Sequence, residues 1–410
     1  MKKDRVFFQT GLFEKPFLNS RITTASMTMK EKILGYLVGP VGILALVAIV
    51  NQLLELYYTE VFYIDEIFGA GNYLLMSWIT KAVGIVAGLL IAYYDRMKRY
   101  AGFMMNRCGK LGLMAKPLGI KGEAKKYAVN AGQSYGEWAE PKDVHPNDWK
   151  DMVAPHPEVS TAYTSYVLGC MAEIAEELGH ADDATLFHEY SDGCKKAYQA
   201  MAETADYSLD TDRQARLVRP LAFDLLDEKQ TGYAQKRLIQ ALENYGWRLG
   251  TGFLSTPLIL DVLAQYDLDA AYRLLENEEM PGWLFMPKNG ATTIWESWEG
   301  TQAQGGIASL NHYSKGAVCE WLFKTMCGIR VDGENHFTIA PKPGGSFTYA
   351  KVCYRSVYGI VESGWKNIDD AIIYSVIVPA NTGATIILPS GERHILSAGD
   401  YEFRIPNMHA

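Results

Sequence analysis

From Glu158 to Cys327 apolar residues recur at helical spacing; from about Arg330 onward they alternate. Ser160–Leu178 sets Val167, Leu168, Met171, Ile174 and Ala175 on one face and closes at Gly179, which predicts an amphipathic helix with a glycine stop. The same reasoning predicts helices over Ala181–Thr204, Asp212–Leu226, Gln230–Tyr245, Ser255–Tyr266, Leu268–Asn277 and Ser314–Cys327. An earlier helix, Asp95–Arg107, rests on Met97, Tyr100, Phe103 and Met104. Gly, Pro, Lys and Asp between it and about Pro157 predict a long loop. Helices joined by short links suit hairpins arranged as an α/α toroid. Past Arg330, β-branched and aromatic residues between turn residues predict strands at His336–Ala340, Ser346–Tyr354, Gly359–Trp365, Ala371–Val378, Ala384–Leu388 and Asp400–Phe403, a small antiparallel β-sandwich.

Two runs depart from this pattern. Residues 33–58 are apolar except for Asn51, Gln52 and Glu55, and residues 73–94 carry Lys81 as their one charge before Tyr94. About 20 apolar residues suffice to span a bilayer as a helix. Arg21, Lys30 and Lys32 precede the first run, Arg96, Lys98 and Arg99 follow the second, and the connection holds Glu60, Asp65 and Glu66. That asymmetry predicts a transmembrane hairpin with both ends cytoplasmic. The competing reading is a pair of buried helices.

Composition narrows the function. The 410 residues are 48% hydrophobic and 12% aromatic, enough for two or three domains. A net charge of −8 argues against a nucleic-acid partner. Six cysteines without a CxxC pair read as reduced, mostly buried thiols, and eight histidines form no ligand spacing, so neither metal nor cofactor is expected. The basic start Met1-Lys-Lys is interrupted by Asp4 and Glu14, so no signal peptide is expected.

The segment most informative about chemistry is Asn289-Gly-Ala-Thr-Thr-Ile-Trp-Glu-Ser-Trp-Glu-Gly300. It sets Glu296 between Trp295 and Trp298. Indole faces stack on the apolar faces of sugar rings, and a carboxylate can activate water for glycoside hydrolysis. A solvated Glu beside core tryptophans is the alternative. Gly250-Thr-Gly252 lacks the third glycine of a dinucleotide loop, and Asp182-Asp183 reads as a helix start rather than a metal site.

Around Glu296 stand Gly250-Thr-Gly-Phe-Leu-Ser-Thr-Pro-Leu258, Pro281-Gly-Trp-Leu284, Ser309-Leu-Asn-His-Tyr313 and Gly316-Ala-Val-Cys-Glu-Trp321, with Gly136-Glu-Trp138 and Ser160-Thr-Ala-Tyr163 upstream and Ile339-Ala-Pro341 downstream. In order and wording these resemble the α-L-rhamnosidases of glycoside hydrolase family 78 over about residues 94–405. The resemblance implies a mainly α fold, a partial six-hairpin α/α toroid followed by the β-sandwich, and inverting hydrolysis of terminal α-L-rhamnosyl residues from rhamnose-containing glycosides. It implies Glu296 as general base and His312 and Trp138 as sugar contacts. Glu137, one methylene longer than the family's Asp at that place, and Trp295 are further candidate sugar contacts, and Trp295, Trp298 and Trp283 are candidate pocket walls. Structural alternatives stay open: a core His312, a loop-anchoring Trp138, core tryptophans.

The family's general-acid pattern, Asp-Cys-Pro-x-Arg-Glu-Glu, does not occur in this sequence. Impaired turnover is the resulting expectation, with a membrane-tethered, non-catalytic sugar-binding protein as an alternative. Lys30-Glu-Lys-Ile-Leu-Gly-Tyr36 and Tyr57-Tyr-Thr-Glu-Val61 loosely resemble the start of glycoside–pentoside–hexuronide sugar–cation symporters over about residues 27–93, so a transporter piece joined to a hydrolase piece is a third reading. The expected organisation is residues 1–26 unassigned, 27–94 an apolar helical hairpin, 95–329 an incomplete toroid and 330–410 the β-sandwich, cytoplasmic-facing and membrane-associated.

Overall fold

The structure, a computed structural model, describes residues 90, 93–113, 115–132, 134–145, 154–300, 308–333 and 335–406. Residues 33–58 and nearly all of 73–94 lie outside them, as does the symporter-like stretch up to residue 89. Among the described residues, no helix is long and apolar enough to cross a membrane.

Residues 93–105 form α1. Tyr94, expected at the end of an apolar span, sits in its first turn, stacks on His180 at 4.3 Å and donates to Asp183 at 2.8 Å, where Lys98 also pairs at 2.7 Å. Its buried ring joins Ala101, Leu168, Ala172 and Phe187 in one apolar cluster. The helix therefore begins before residue 95 and takes in the end of the presumed hairpin.

The next helices pair as hairpins: α2 (Pro157–Glu177) with α3 (Ala181–Ala202), α4 (Gln214–Ala222) with α5 (Glu228–Asn244), and α6 (Thr256–Tyr266) with α7 (Leu268–Leu275). Each link has a local cause. Gly179, at φ 77°, turns the chain after α2, and the His180 N–H caps the Ala175 carbonyl at 2.8 Å. Asp227 and Gln230 form a reciprocal capping box on α5. Asp267 alone joins α6 to α7 and caps Ala270. Small residues bring α2 and α3 close enough for Ser165 and Ser191 each to donate to the other's carbonyl at 2.8 Å. The expected helix Ser314–Cys327 runs from Tyr313 to Met326, with a break at Ala317 and a π-turn over Leu322–Met326.

Two four-stranded sheets follow. One orders β1 (Ile329–Val331), β2 (His336–Ile339), β6 (Gly383–Ile387) and β7 (Arg393–Leu396); the other orders β3 (Tyr349–Ser356), β4 (Gly359–Ile368), β5 (Ala371–Val378) and β8 (Gly399–Pro406). β1 and β7, of three and four residues, have no counterpart among the expected strands. The antiparallel β-sandwich is as expected, with one departure among the described strands: β2 and β6 pair in parallel, Phe337 opposite Ala384. The chain leaves the first sheet after β2, builds β3 to β5 in the second and re-enters in the same direction. The expectation of mostly buried cysteines also fails. Cys194 and Cys327 are buried, Cys108 and Cys170 half-buried, Cys319 and Cys353 exposed.

Helices and sheets share one core, which runs from Leu217 and Leu238 through Tyr272 and Trp321 to Phe337, Trp365 and Tyr374. Buried donors stitch the junction. Trp365 Nε1 donates to the Met326 carbonyl at 3.0 Å, Ser363 to Cys327 at 2.5 Å and Tyr272 to Lys342 at 2.5 Å. Trp365→Phe leaves the Met326 carbonyl without its partner. It is expected to lower stability by about 1–3 kcal/mol, read as a lower urea midpoint; an unchanged midpoint would count against a joint core.

Candidate active site

The site begins with α4, which holds two loops. Arg219, buried on α4, pairs with the buried Glu137. Ser255, at the start of α6, gives Glu137 two more bonds, from its N–H at 2.6 Å and its hydroxyl at 2.9 Å. Three residues on, Glu140 pairs with Arg213, whose Nε donates to both carboxylate oxygens at 2.8 and 3.1 Å. Gln214 accepts from Gly250 N–H at 2.8 Å and donates to the Arg248 carbonyl at 3.0 Å. Gly252 has no room for a side chain: a Cβ there would lie 2.3 Å from the Trp138 carbonyl oxygen. Segment 137–140 is thus pressed onto 250–256, and Phe253 N–H donates to the Trp138 carbonyl at 2.8 Å.

From Phe253 the site continues ring to ring. Its ring stacks on His312 at 5.0 Å, and His312 stacks on Tyr313 at 5.1 Å. His312 Nδ1 accepts from Ser314 N–H at 3.4 Å, and His312 N–H donates to the Ile294 carbonyl at 2.8 Å. Two residues beyond Ile294 stands Glu296. Its N–H donates to the Ser309 carbonyl at 2.8 Å, and the Ser309 N–H donates to its carboxylate at 2.9 Å. Trp138, Phe253, His312 and Glu296 therefore lie along one continuous run of contacts.

The sequence-predicted residues divide within this frame. Glu296, His312 and Trp138 are half-buried, so each keeps accessible surface, and Trp138 meets Tyr135 edge-on at 5.5 Å. Glu137 has both oxygens engaged and is 3% exposed, so its observed contacts are those of a loop anchor rather than of a group facing a sugar. Trp295 folds over its own turn, where a Cβ on Gly300 would meet its ring at 2.5 Å. Trp298 and Trp283 are buried. A cavity of about 230 Å³ flanks the segment between Arg248, Pro281, Trp298 and Glu299.

Two contributors escape a reading of the sequence. Phe253 lies within Gly250–Leu258 but carries no polar signal. Lys315 looks like an ordinary surface lysine, yet it is 1% exposed. Its Nζ lies 4.1 Å from the centre of the Trp298 ring and donates to the Glu296 carbonyl. The partial signal is spacing: Lys315 stands three and six residues ahead of Val318 and Trp321, on the same helical face.

The described residues thus set helical hairpins and a C-terminal β domain around one candidate site, the arrangement of a helical-hairpin domain with an appended β-sandwich. Residues 88–326 match the bacterial alpha-L-rhamnosidase 6 hairpin glycosidase domain, and residues 330–401 match the bacterial alpha-L-rhamnosidase C-terminal domain. The chain belongs to the bacterial alpha-L-rhamnosidase six-hairpin glycosidase family. The match starts within the second apolar run, so residues 88–94 fall inside the glycosidase domain. An alpha-L-rhamnosidase of Streptomyces avermitilis is 33% identical over 264 residues, covering 62% of this chain and 25% of that protein. One of Formosa agariphila is 32% identical over 279 residues, covering 66% and 30%. The solved alpha-L-rhamnosidase of Aspergillus terreus superposes with a TM-score of 0.60 at 27% identity, over 71% of this chain and 34% of that one. The Streptomyces avermitilis enzyme complexed with L-rhamnose superposes with a TM-score of 0.62 at 26% identity, over 78% and 31%. The chain thus matches about a quarter to a third of the length of these relatives.

Two outcomes follow from the buried charges. Glu137→Ala leaves Arg219 without its counter-ion and is expected to cost about 3–5 kcal/mol, whereas Glu137→Met combined with Arg219→Met recovers only part of it, because the two Ser255 donors stay unpaired; denaturant midpoints of the three proteins decide. Burial pulls Lys315 down to about 7 from 10.5, against the opposing pull of Glu299 and Glu296. Between those two values the unfolded chain holds the extra proton, so this group makes stability rise with pH above about 7. The melting temperature of wild type minus that of Lys315→Met should therefore increase from pH 7 to pH 9; a constant difference would rule the shift out.

Proposed function

We propose that the chain hydrolyses terminal α-L-rhamnosyl residues with inversion, and that Glu296 is the general base. The observation that carries this reading is the arrangement of Glu296. Its backbone N–H and its carboxylate are both bonded to Ser309, while the side chain stays half-buried and keeps access to solvent. A base for inversion needs that combination of fixed direction and room for a water on one face of the sugar. His312, oriented by Ser314 and by Phe253, would bond the sugar hydroxyls with its remaining nitrogen. Trp138, held through its carbonyl, would offer its ring to the sugar's apolar face. Family membership supports the reaction class, and the Streptomyces avermitilis relative was solved with L-rhamnose.

The leaving group's proton is a separate matter. An inverting site takes it from a second carboxylic acid about 6.5–9.5 Å from the base, and the family's acidic pattern does not occur in this sequence. A 4-nitrophenyl leaving group departs without protonation, so an activated aryl α-L-rhamnoside isolates the base. With it, Glu296→Gln is expected to lower turnover by about 10²–10⁴-fold. An alkyl α-L-rhamnoside, which needs the acid, is expected to be turned over far more slowly by the wild-type chain. Glu296→Gln with undiminished aryl-rhamnoside turnover would remove Glu296 from the reaction. Saturable rhamnose binding without any turnover would favour a sugar-binding protein.

A further inference from the structure

We propose that Lys315 is the positioning residue of Glu296: its side-chain nitrogen, held between aromatic rings, pins the Glu296 carbonyl and so fixes the direction of the Glu296 carboxylate. The inference rests on the reading of Glu296 as general base. Its geometry does not.

Lysine is a costly choice for this position. It is 1% exposed on a helix whose neighbours Val318 and Trp321 are core residues. An amine buried this deeply is retained only where its surroundings compensate it. Here the Trp298 ring lies 4.1 Å from Nζ and the Phe253 ring 5.6 Å, with Glu296 and Glu299 near enough to act on its charge. Cation–π contacts of this kind are strongest when desolvated. The one hydrogen bond described for Nζ goes to the main-chain carbonyl of Glu296, not to either carboxylate.

That choice of acceptor determines what the lysine does. The Glu296 main chain is gripped at both ends, its N–H by Ser309 and its carbonyl by Lys315. With both peptide groups fixed, only the side-chain torsions remain, and the Ser309 N–H bond to the carboxylate narrows those. Lys315 is itself held: its carbonyl accepts from Trp283 Nε1 at 3.0 Å, and the turn it occupies begins at His312. One helical turn therefore carries the His312 ring at its start and grips Glu296 three residues later. A methionine would fill much the same volume and leave the carbonyl unheld.

The test compares the full chain with Lys315→Met, Lys315→Gln and Glu296→Gln. Displacing a reacting group by about 1 Å can cost roughly 100-fold. Lys315→Met is expected to lower kcat on 4-nitrophenyl α-L-rhamnoside by about that factor, with KM changed by less than about threefold, because the lost contact steers the base rather than binding the sugar. Lys315→Gln, which keeps a donor, is expected to recover part of the loss. Crystal structures of wild type and Lys315→Met are expected to show the Glu296 carboxylate displaced from the Ser309 amide in the variant, a readout independent of turnover. An unmoved Glu296 in that variant, or kcat within about twofold of wild type while Glu296→Gln is inactive, would overturn the positioning role. Undiminished turnover by Glu296→Gln would instead overturn the base assignment and this inference with it.

Discussion

The buried pair of Glu137 and Arg219 is the constraint on which the site depends. Withdrawing a carboxylate and a guanidinium from water costs several kcal/mol per ion, and apolar residues of equal volume would often give more stability. What an ion pair supplies here is direction. Glu137 accepts from α4 through Arg219 and from the head of α6 through two bonds of Ser255. It thereby locks an irregular segment onto two helices at once. Glu140 and Arg213 repeat the device one turn along the loop. Trp138 lies between the two anchors, with its carbonyl on Phe253, and Phe253 in turn supports the His312 ring. Gly252 permits the close approach, since any Cβ there would strike the Trp138 carbonyl.

The opposite wall is organised differently. The Glu296 segment has little regular structure, and its tryptophans serve largely to hold it down. Trp295 closes the turn against Gly300, and Trp298 is buried beneath the Lys315 side chain. The helix from Tyr313 to Met326 joins this wall to the rest of the molecule. Its first turn carries His312 and Lys315, and its last turn hands its carbonyls to Ser363 and Trp365 of the β domain. The β domain therefore braces the far end of the helix that bears the candidate site.

Much of this was legible in the chain itself. Helical spacing located the helices to within a few residues, because their buried faces repeat every turn. β4, β5 and β8 stood out by alternation, whereas three-residue β1 was too short to show it. The parallel pairing of β2 with β6 left no local mark, since it depends on where the chain returns. Tyr94 shows the limit of an apolar run as evidence. Membrane and protein core select the same side chains, and the contacts of Tyr94 with His180 and Asp183 are made across more than eighty residues.

The sequence by itself determined the class of fold and the identity of Glu296, His312 and Trp138 as the residues to watch, because motif wording and hydrophobic period are local properties. Only the tertiary structure decided what their neighbours do. It turned Glu137 from a candidate sugar contact into an anchor and drew Lys315 from an apparent surface position to the back of Glu296. Burial and pairing arise between segments far apart in the chain, and no local pattern encodes which carboxylate will meet a guanidinium and which will face water.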